Sequence, residues 1–281
     1  MRPSNFIAAF ICILVFLISF LLAEGDVMAL YFNLVALLVV ISGTIGAIFM
    51  SYPFFRIKSA LLVARNAYLS RLPSQDSIIK ALLGLAVRSR YDGILSLEKS
   101  LGHSSTSFLK DALNILVDGH KEEEIREVLF TEMYFFKQRR EQNERVFRSM
   151  ANAAPAFGII GSVIGLIGML SNLGDAEFII KTIPIALTST LYGILLSNFI
   201  LTPIAENIYV RTQEELLLQK LIVSGVMAIS SEQNTYTLEK KLCSFLTPSD
   251  RPGHQRSFEE IRKKYLKMSF QERIEEPVKT T

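Results

Sequence analysis

The sequence predicts an all-α polytopic membrane protein with four transmembrane helices and a helical cytoplasmic domain. Three observations carry that prediction. First, four uncharged apolar runs, Phe6 to Ala23, Met28 to Ser51, Ala151 to Gly174 and Thr182 to Ala205, are long enough as helices to cross a hydrocarbon core of ~30 Å. Second, the intervening segment Tyr52 to Arg148 is polar, with 16 Lys or Arg and 12 Asp or Glu, yet keeps apolar residues at helical period. Third, the basic residues are one-sided. The loops after the first and third runs hold four acids and a single base, Lys181, and the other 29 of 30 Lys and Arg lie elsewhere. The positive-inside rule then places both termini and the central domain in the cytoplasm. A chain that is 50% hydrophobic and 20% charged, with a mean hydropathy of +0.33, fits a membrane bundle with a sizeable water-exposed part. The expected division is 1–51 for the first two spans, 52–148 for the cytoplasmic domain, 149–208 for the last two spans and 209–281 for a cytoplasmic helix and tail.

Taken in order, Phe6 to Ala23 is preceded by Arg2, as a signal peptide would be. The run is longer than a usual signal core and LLAEG lacks small residues at both cleavage positions, so a retained helix is expected. The acidic turn Glu24-Gly25-Asp26 leads to the second span, where Gly43, Ala47 and Ser51 share a face and Pro53 marks the exit. In the polar segment, Leu61 to Tyr68 before Pro73, Ile78 to Leu85, Ser107 to Val117 and Glu122 to Arg148 read as helices, with Asp118-Gly119 as a break. The last has acids early and bases late, as the helix dipole favours, and is expected to run unbroken into the third span. After the fourth span a polar helix should extend from Glu206 to about Ser230. Pro248 and Pro252-Gly253 break the tail, and Ser257 to Met268 has the pattern of a basic amphipathic helix.

The third and fourth spans have an unusual composition. Gly158, Gly161, Gly165 and Gly168 recur at helical spacing, Ala154, Gly158 and Ser162 form a second stripe, and Ser189, Gly193 and Ser197 form a third. Such stripes let helices approach closely, and a plain packing seam explains them as well as any function does. Pro155 and Pro203 each sit near one end of a span. No span contains Asp, Glu, Lys, Arg or His, so an ion crossing here would meet only hydroxyls (Ser162, Thr188, Ser189, Thr190, Tyr192), the amides of Asn152 and Asn198, and backbone freed near Pro155. A carboxylate would then have to come from another subunit; the alternative is that no ion passes.

Enzyme chemistry has little support. His103, His120 and His254 lack ligand spacing, and there is no phosphate-binding glycine loop or nucleophile elbow. Cys12 and Cys243 lie in unlike segments and imply no redox compartment. No basic tract with interleaved aromatics suggests nucleic acid. The charges around Arg88, Arg90 and Glu98 fit an ordinary solvated face.

The blocks APAFGIIGSVIGLIGML and IPIALTSTLYGILLSNFILTPIAENI resemble the MotA/PomA family of flagellar stator A subunits. ISGTIGAIFMSYP is similar to the family's second-span segment and RSRYDGILSLE to its charged cytoplasmic motif. RSFEE resembles the family's tail, with Gly253 to Gln255 intruding before it. The resemblance implies a homo-pentamer around a dimer of single-span B subunits of the MotB/PomB type, whose aspartate carries H+ or Na+, with no cofactor. It implies that the ring turns and pushes the rotor protein FliG. It assigns Pro155 and Pro203 to coupling and Arg90 and Glu98, beside Arg88, to the rotor contact. Ser162, Ser189 and Thr190 fall near the ion path, and a hydroxyl at Ser162 leans towards sodium. The rivals are an envelope energiser of the TolQ/ExbB type, which has one span before its cytoplasmic domain where this chain has two, and a non-conducting membrane scaffold. A secondary transporter would need more spans and a midplane charge.

Overall fold

The computed structural model describes residues 31–103, 106–171, 174–231 and 235–246, together with Ile11, Leu14, Val15, Ile18 and Lys263. Apart from those four early positions, the first expected span lies outside the described residues. So do the turn at Glu24, the Pro252-Gly253 break, the RSFEE segment and, save Lys263, the basic helix Ser257 to Met268. The described residues are helical, with no strand among them, and the protein is a helical membrane protein. They fall into two compact units, residues 1–70 with 140–210 and residues 71–139 with 211–281. Three segments among the described residues, Leu34–Ser51, Glu122–Ser171 and Glu177–Ser230, include a window long and apolar enough to cross a membrane.

The first unit begins with α1 (Leu34–Ser51). It starts later than the apolar run does, because Asn33 caps it: the side chain accepts from the Ala36 N–H at 3.0 Å. Ala36, Val40, Thr44 and Ile48 are buried at strict four-residue spacing, the mark of a helix with one packed face. Tyr52 is extended at φ −133°, as a residue before proline must be. Pro53 opens α2 (Phe54–Leu69), whose buried face is Ile57, Ala60, Ala64 and Ala67. That alanine face packs with Ile48, Val146, Phe147, Ala151, Ala154, Leu201, Ala205 and Ile208 into one core. Small residues there let the helix axes approach closely. Arg56 donates to the Gln142 side chain at 2.6 Å, and the Tyr52 and Ser149 hydroxyls meet at 2.9 Å.

The second unit contains α3 (Gln75–Asp92), a 3-10 segment Ile94–His103, and α4 (Ser107–Val117). Ser74 and Thr106 cap the two α-helices by accepting from Ser77 and Leu109 N–H groups at 3.1 and 3.2 Å. Both helices end at a glycine with positive φ, Gly93 at 82° and Gly119 at 77°, which residues with a side chain rarely adopt. The expected break at Asp118-Gly119 therefore has a backbone cause. The unit's core joins Ile78, Leu82, Leu97, Leu113, Ile125, Leu129, Leu221 and Leu238, all fully buried, with their neighbours.

Two long helices contribute to both units. α5 (Glu122–Ser171) runs for 50 residues without interruption, as expected, and carries Pro155 inside it. α6 (Ala176–Leu195) is capped by Asp175, whose carboxylate accepts from the Glu177 and Phe178 N–H groups at 3.0 and 3.2 Å, so it begins before Thr182. A π-helical segment, Leu196–Leu201, joins it to the second long helix, α7 (Thr202–Ser230). There the Thr202 N–H donates to Ser197 O, five residues back. Pro203 accounts for this widening: it has no N–H for the Phe199 carbonyl, and one extra residue in the turn accommodates the gap. The last described helix, α8 (Thr235–Cys243), belongs to the second unit.

Candidate functional site

The seam between the apolar parts of α5 and α6 is set by glycine. A Cβ on Gly158 would lie 2.9 Å from Ser189 O, one on Gly165 2.8 Å from Ala186 N, and one on Gly193 2.6 Å from Ala154 O. These are backbone atoms with no room to retreat, so any side chain at these positions would force the helices apart. Gly43 of α1 also lies against α5: a Cβ there would stand 2.1 Å from Cδ1 of the Phe157 ring.

The hydroxyls of α1, α5 and α6 divide into two groups. Thr44, Thr188 and Ser189 donate to carbonyls four residues back in their own helices, at 2.7, 2.6 and 2.7 Å. That is the default for a helical Ser or Thr. Ser162 instead donates across the seam to Ala186 O at 2.5 Å, and Thr190 Oγ1 lies 3.2 Å from Ser162 Oγ and 3.5 Å from Gly158 O. Both residues are half-buried. They form a short polar ladder between two apolar helices. Ser189 is fully buried, and a Cβ on Gly161 would lie 2.6 Å from its Oγ. Its hydroxyl thus fills the space glycine leaves and does not face an open surface. Of the three hydroxyl residues that the resemblance groups, Ser162 and Thr190 come together, whereas Ser189 sits inside the seam. The Tyr192 hydroxyl accepts from the Asn33 N–H at 3.1 Å and donates to Tyr31 O, tying α6 to the start of α1.

Pro155 is half-buried against α6, its Cα 3.1 Å from where a Cβ on Gly193 would stand, while Pro203 is exposed just after the π segment. Nearby in α5, Arg148 donates to Glu144 at 2.8 Å and to Glu206 of α7 at 2.9 Å. Those two carboxylates hold the guanidinium firmly charged.

In the second unit, Arg90 and Glu98 are exposed but Arg88 is buried, at 8% exposure. Arg90 lines a cavity of ≈ 430 Å³ with Ser89, Asp92, Gly93 and Leu95. Partial burial raises the Glu132 carboxyl above the usual carboxylate range, and nearby Asp111 adds to this while Arg139 opposes it. Among the described residues no group of three or more His, Cys, Asp or Glu side chains could hold a metal. Sequence reasoning placed Ser197 only in a small-residue stripe; its buried hydroxyl in fact donates to Ala151 O at 2.7 Å. The signal was available: proline at 155 deprives the carbonyl four residues earlier of its donor.

Residues 102–220 match the model of the MotA/TolQ/ExbB proton channel family. Motility protein A of Borreliella burgdorferi is 32% identical over 229 residues, covering 80% of this chain and 86% of that one. The chain belongs to the MotA family. Chemotaxis protein PomA of Vibrio alginolyticus is 30% identical over 227 residues, 81% of this chain and 89% of its own. Among solved structures, the flagellar MotAB stator complex from Bacillus subtilis matches with a TM-score of 0.80 at 27% identity, covering 90% of this chain and 98% of that one. This MotA-family chain is therefore a stator A subunit, a motility protein of the inner membrane from a family of proton channels.

Proposed function

We propose that this A subunit assembles as a ring of five around a dimer of MotB/PomB-type B subunits and converts ion passage into torque on the rotor. The observation that carries the reading is the hydroxyl ladder of Ser162 and Thr190 on a glycine-lined seam. Its two helices have no ionisable group in their apolar runs. A hydroxyl oxygen can take the place of water around a passing H+ or Na+, but it cannot supply the fixed charge that attracts one. The B subunit's aspartate completes the site. The glycine seam keeps the two inner helices together as one rigid wall while the ring moves past its partner.

In this scheme Pro155 and Pro203 are the coupling points. Each interrupts the backbone ladder of a long helix, so bending there is cheap relative to bending elsewhere. Arg90 and Glu98 carry the contact with FliG, and their exposure supports that role. Buried Arg88 serves instead to hold the second unit's structure. The chain spans the membrane four times with both termini and the polar segment in the cytoplasm, a reading supported by the confinement of 29 of its 30 Lys and Arg. Ser162 tilts the preference towards sodium.

The test is co-purification from membranes with a neighbouring-gene product that has one span containing an Asp and a periplasmic domain. Native mass spectrometry is expected to give five A chains to two B chains. A ring of A chains alone, in cells that express that partner, would overturn the proposal.

A further inference from the structure

We propose that Ser197 is a positioning residue for the Pro155 coupling point, its hydroxyl acting as the donor that the proline withholds from Ala151. This rests on the stator reading above for its functional consequence, though not for its geometry. In an uninterrupted α-helix the N–H of residue 155 would donate to the carbonyl of residue 151. Proline has no N–H, so the Ala151 carbonyl loses that partner in a place where Ala151 is 6% exposed. Leaving a buried carbonyl unmet is costly. Ser197 Oγ, itself on a residue 6% exposed, meets this carbonyl at 2.7 Å.

Two features make the contact specific. Gly193 lies one turn before Ser197 and lets α6 approach until a Cβ there would touch Ala154 O and the Pro155 Cα. The π segment begins at Leu196, and Ser197 O accepts from Thr202 in the wider ladder. Ser197 thus departs from the habit of Thr44, Thr188 and Ser189, which bond within their own helices. Its hydroxyl links the proline interruption of α5 to the widened turn ahead of Pro203. Bending at Pro155 changes the length of this bond, so the bond sets the resting angle of α5 and is exchanged when the helix moves.

The test uses the full chain in its membrane complex with the B subunit. Ala-Asn occurs once in the sequence, at Ala151-Asn152. Labelling Ala carbonyls with ¹³C and Asn nitrogens with ¹⁵N therefore isolates the Ala151 carbonyl as a single solid-state NMR cross-peak. Ser197→Ala would create a second such pair with Asn198, so the hydroxyl is removed with valine, the isostere of threonine. Ser197→Val is expected to move this peak towards weaker hydrogen bonding and Ser197→Thr to leave it in place. In a Pro155→Ala background the backbone N–H restored at position 155 takes over the carbonyl, and Ser197→Val should then leave the peak in place. Motor speed under fixed load is expected to fall several-fold in Ser197→Val, with normal B-subunit binding, and to stay normal in Ser197→Thr. Ser197→Cys keeps a small side chain but donates weakly, and should shift the peak and slow the motor even if the valine variant accumulates poorly. An unmoved carbonyl in Ser197→Val or Ser197→Cys would overturn the hydrogen bond. A moved carbonyl with unchanged speed would overturn the positioning role. Failure of the unsubstituted chain to bind any B subunit would instead strike the stator reading and leave the carbonyl result standing.

Discussion

At the residue scale, glycine does two different jobs in this chain, and the difference is measurable. Gly193 is where two backbones nearly touch: an added methyl would sit 2.6 Å from Ala154 O and 3.1 Å from the Pro155 Cα. Neither atom belongs to a flexible side chain, so Gly193→Ala must separate the helices and is expected to destabilise the first unit by about 1–3 kcal/mol. Gly84 lies inside α3, where an added methyl would meet nothing within 4 Å. There Gly84→Ala should stabilise by about 0.5–1 kcal/mol, because it removes unfolded-state freedom at no steric cost. Thermal unfolding of the two purified variants checks both signs; a stabilised Gly193→Ala would mean that the seam is looser than drawn. Ser162 is a separate case, since its hydroxyl bonds to Ala186 O and lies next to Thr190. Ser162→Ala should change ion preference or conductance. Unchanged currents in sodium and in protons would make Ser162 a packing residue like Ser189.

At the element scale, the long helix α5 was legible because apolar periodicity, early acids and late bases agree over its length. The break after α4 was legible because Gly119 needs a left-handed φ. The π segment was not. Its cause, a missing N–H at Pro203, is local, but whether the chain widens, kinks or stops there depends on the packing of Ser197 and Leu201, which are buried in the folded unit. The small-residue stripes that hold Ser162 and Ser189 were visible as spacing, but the pairing of Ser162 with Thr190 and the inward turn of Ser189 were not, since facing stripes leave the rotation of each helix and each hydroxyl open. Glu132 supplies a test of the water-exposed part of α5. Its carboxyl titrates higher in the folded chain than in the unfolded one, chiefly from burial and then from Asp111. The favourable state is the neutral one, so its contribution to stability is greatest at acid pH and falls as pH rises through the folded-state value. Glu132→Gln should therefore raise the melting temperature at neutral pH and make no difference below the ordinary Glu range. The gain should stay under about 1 kcal/mol because Glu132 is only partly buried. Equal melting temperatures at every pH would remove the burial argument.

At the scale of the whole molecule, two kinds of surface have to be kept apart. The apolar helices expose Ile159, Ile160, Ile164, Ile167, Leu170 and Leu187, which suit lipid or neighbouring subunits. The second unit exposes Arg90 and Glu98, which suit a transient contact that is made and broken as the motor turns. Contacts of that kind gain their rate and selectivity from charge and weaken with salt. Buried Arg88 provides the control within the same helix as Arg90. Arg90→Glu is expected to cut stator recruitment to the motor while leaving the stability of the second unit within about 0.5 kcal/mol of the original, as exposed substitutions do. Arg88→Glu places a carboxylate where an arginine is enclosed, and is expected to destabilise the unit by several kcal/mol. Reversing a facing charge on the rotor should restore recruitment of Arg90→Glu and do nothing for Arg88→Glu. Recruitment is counted by fluorescence of tagged stators, and stability is read by thermal unfolding of the same chains. If rotor reversal rescues neither variant, charge does not direct the contact. If it rescues both, the burial of Arg88 is not what separates the two residues.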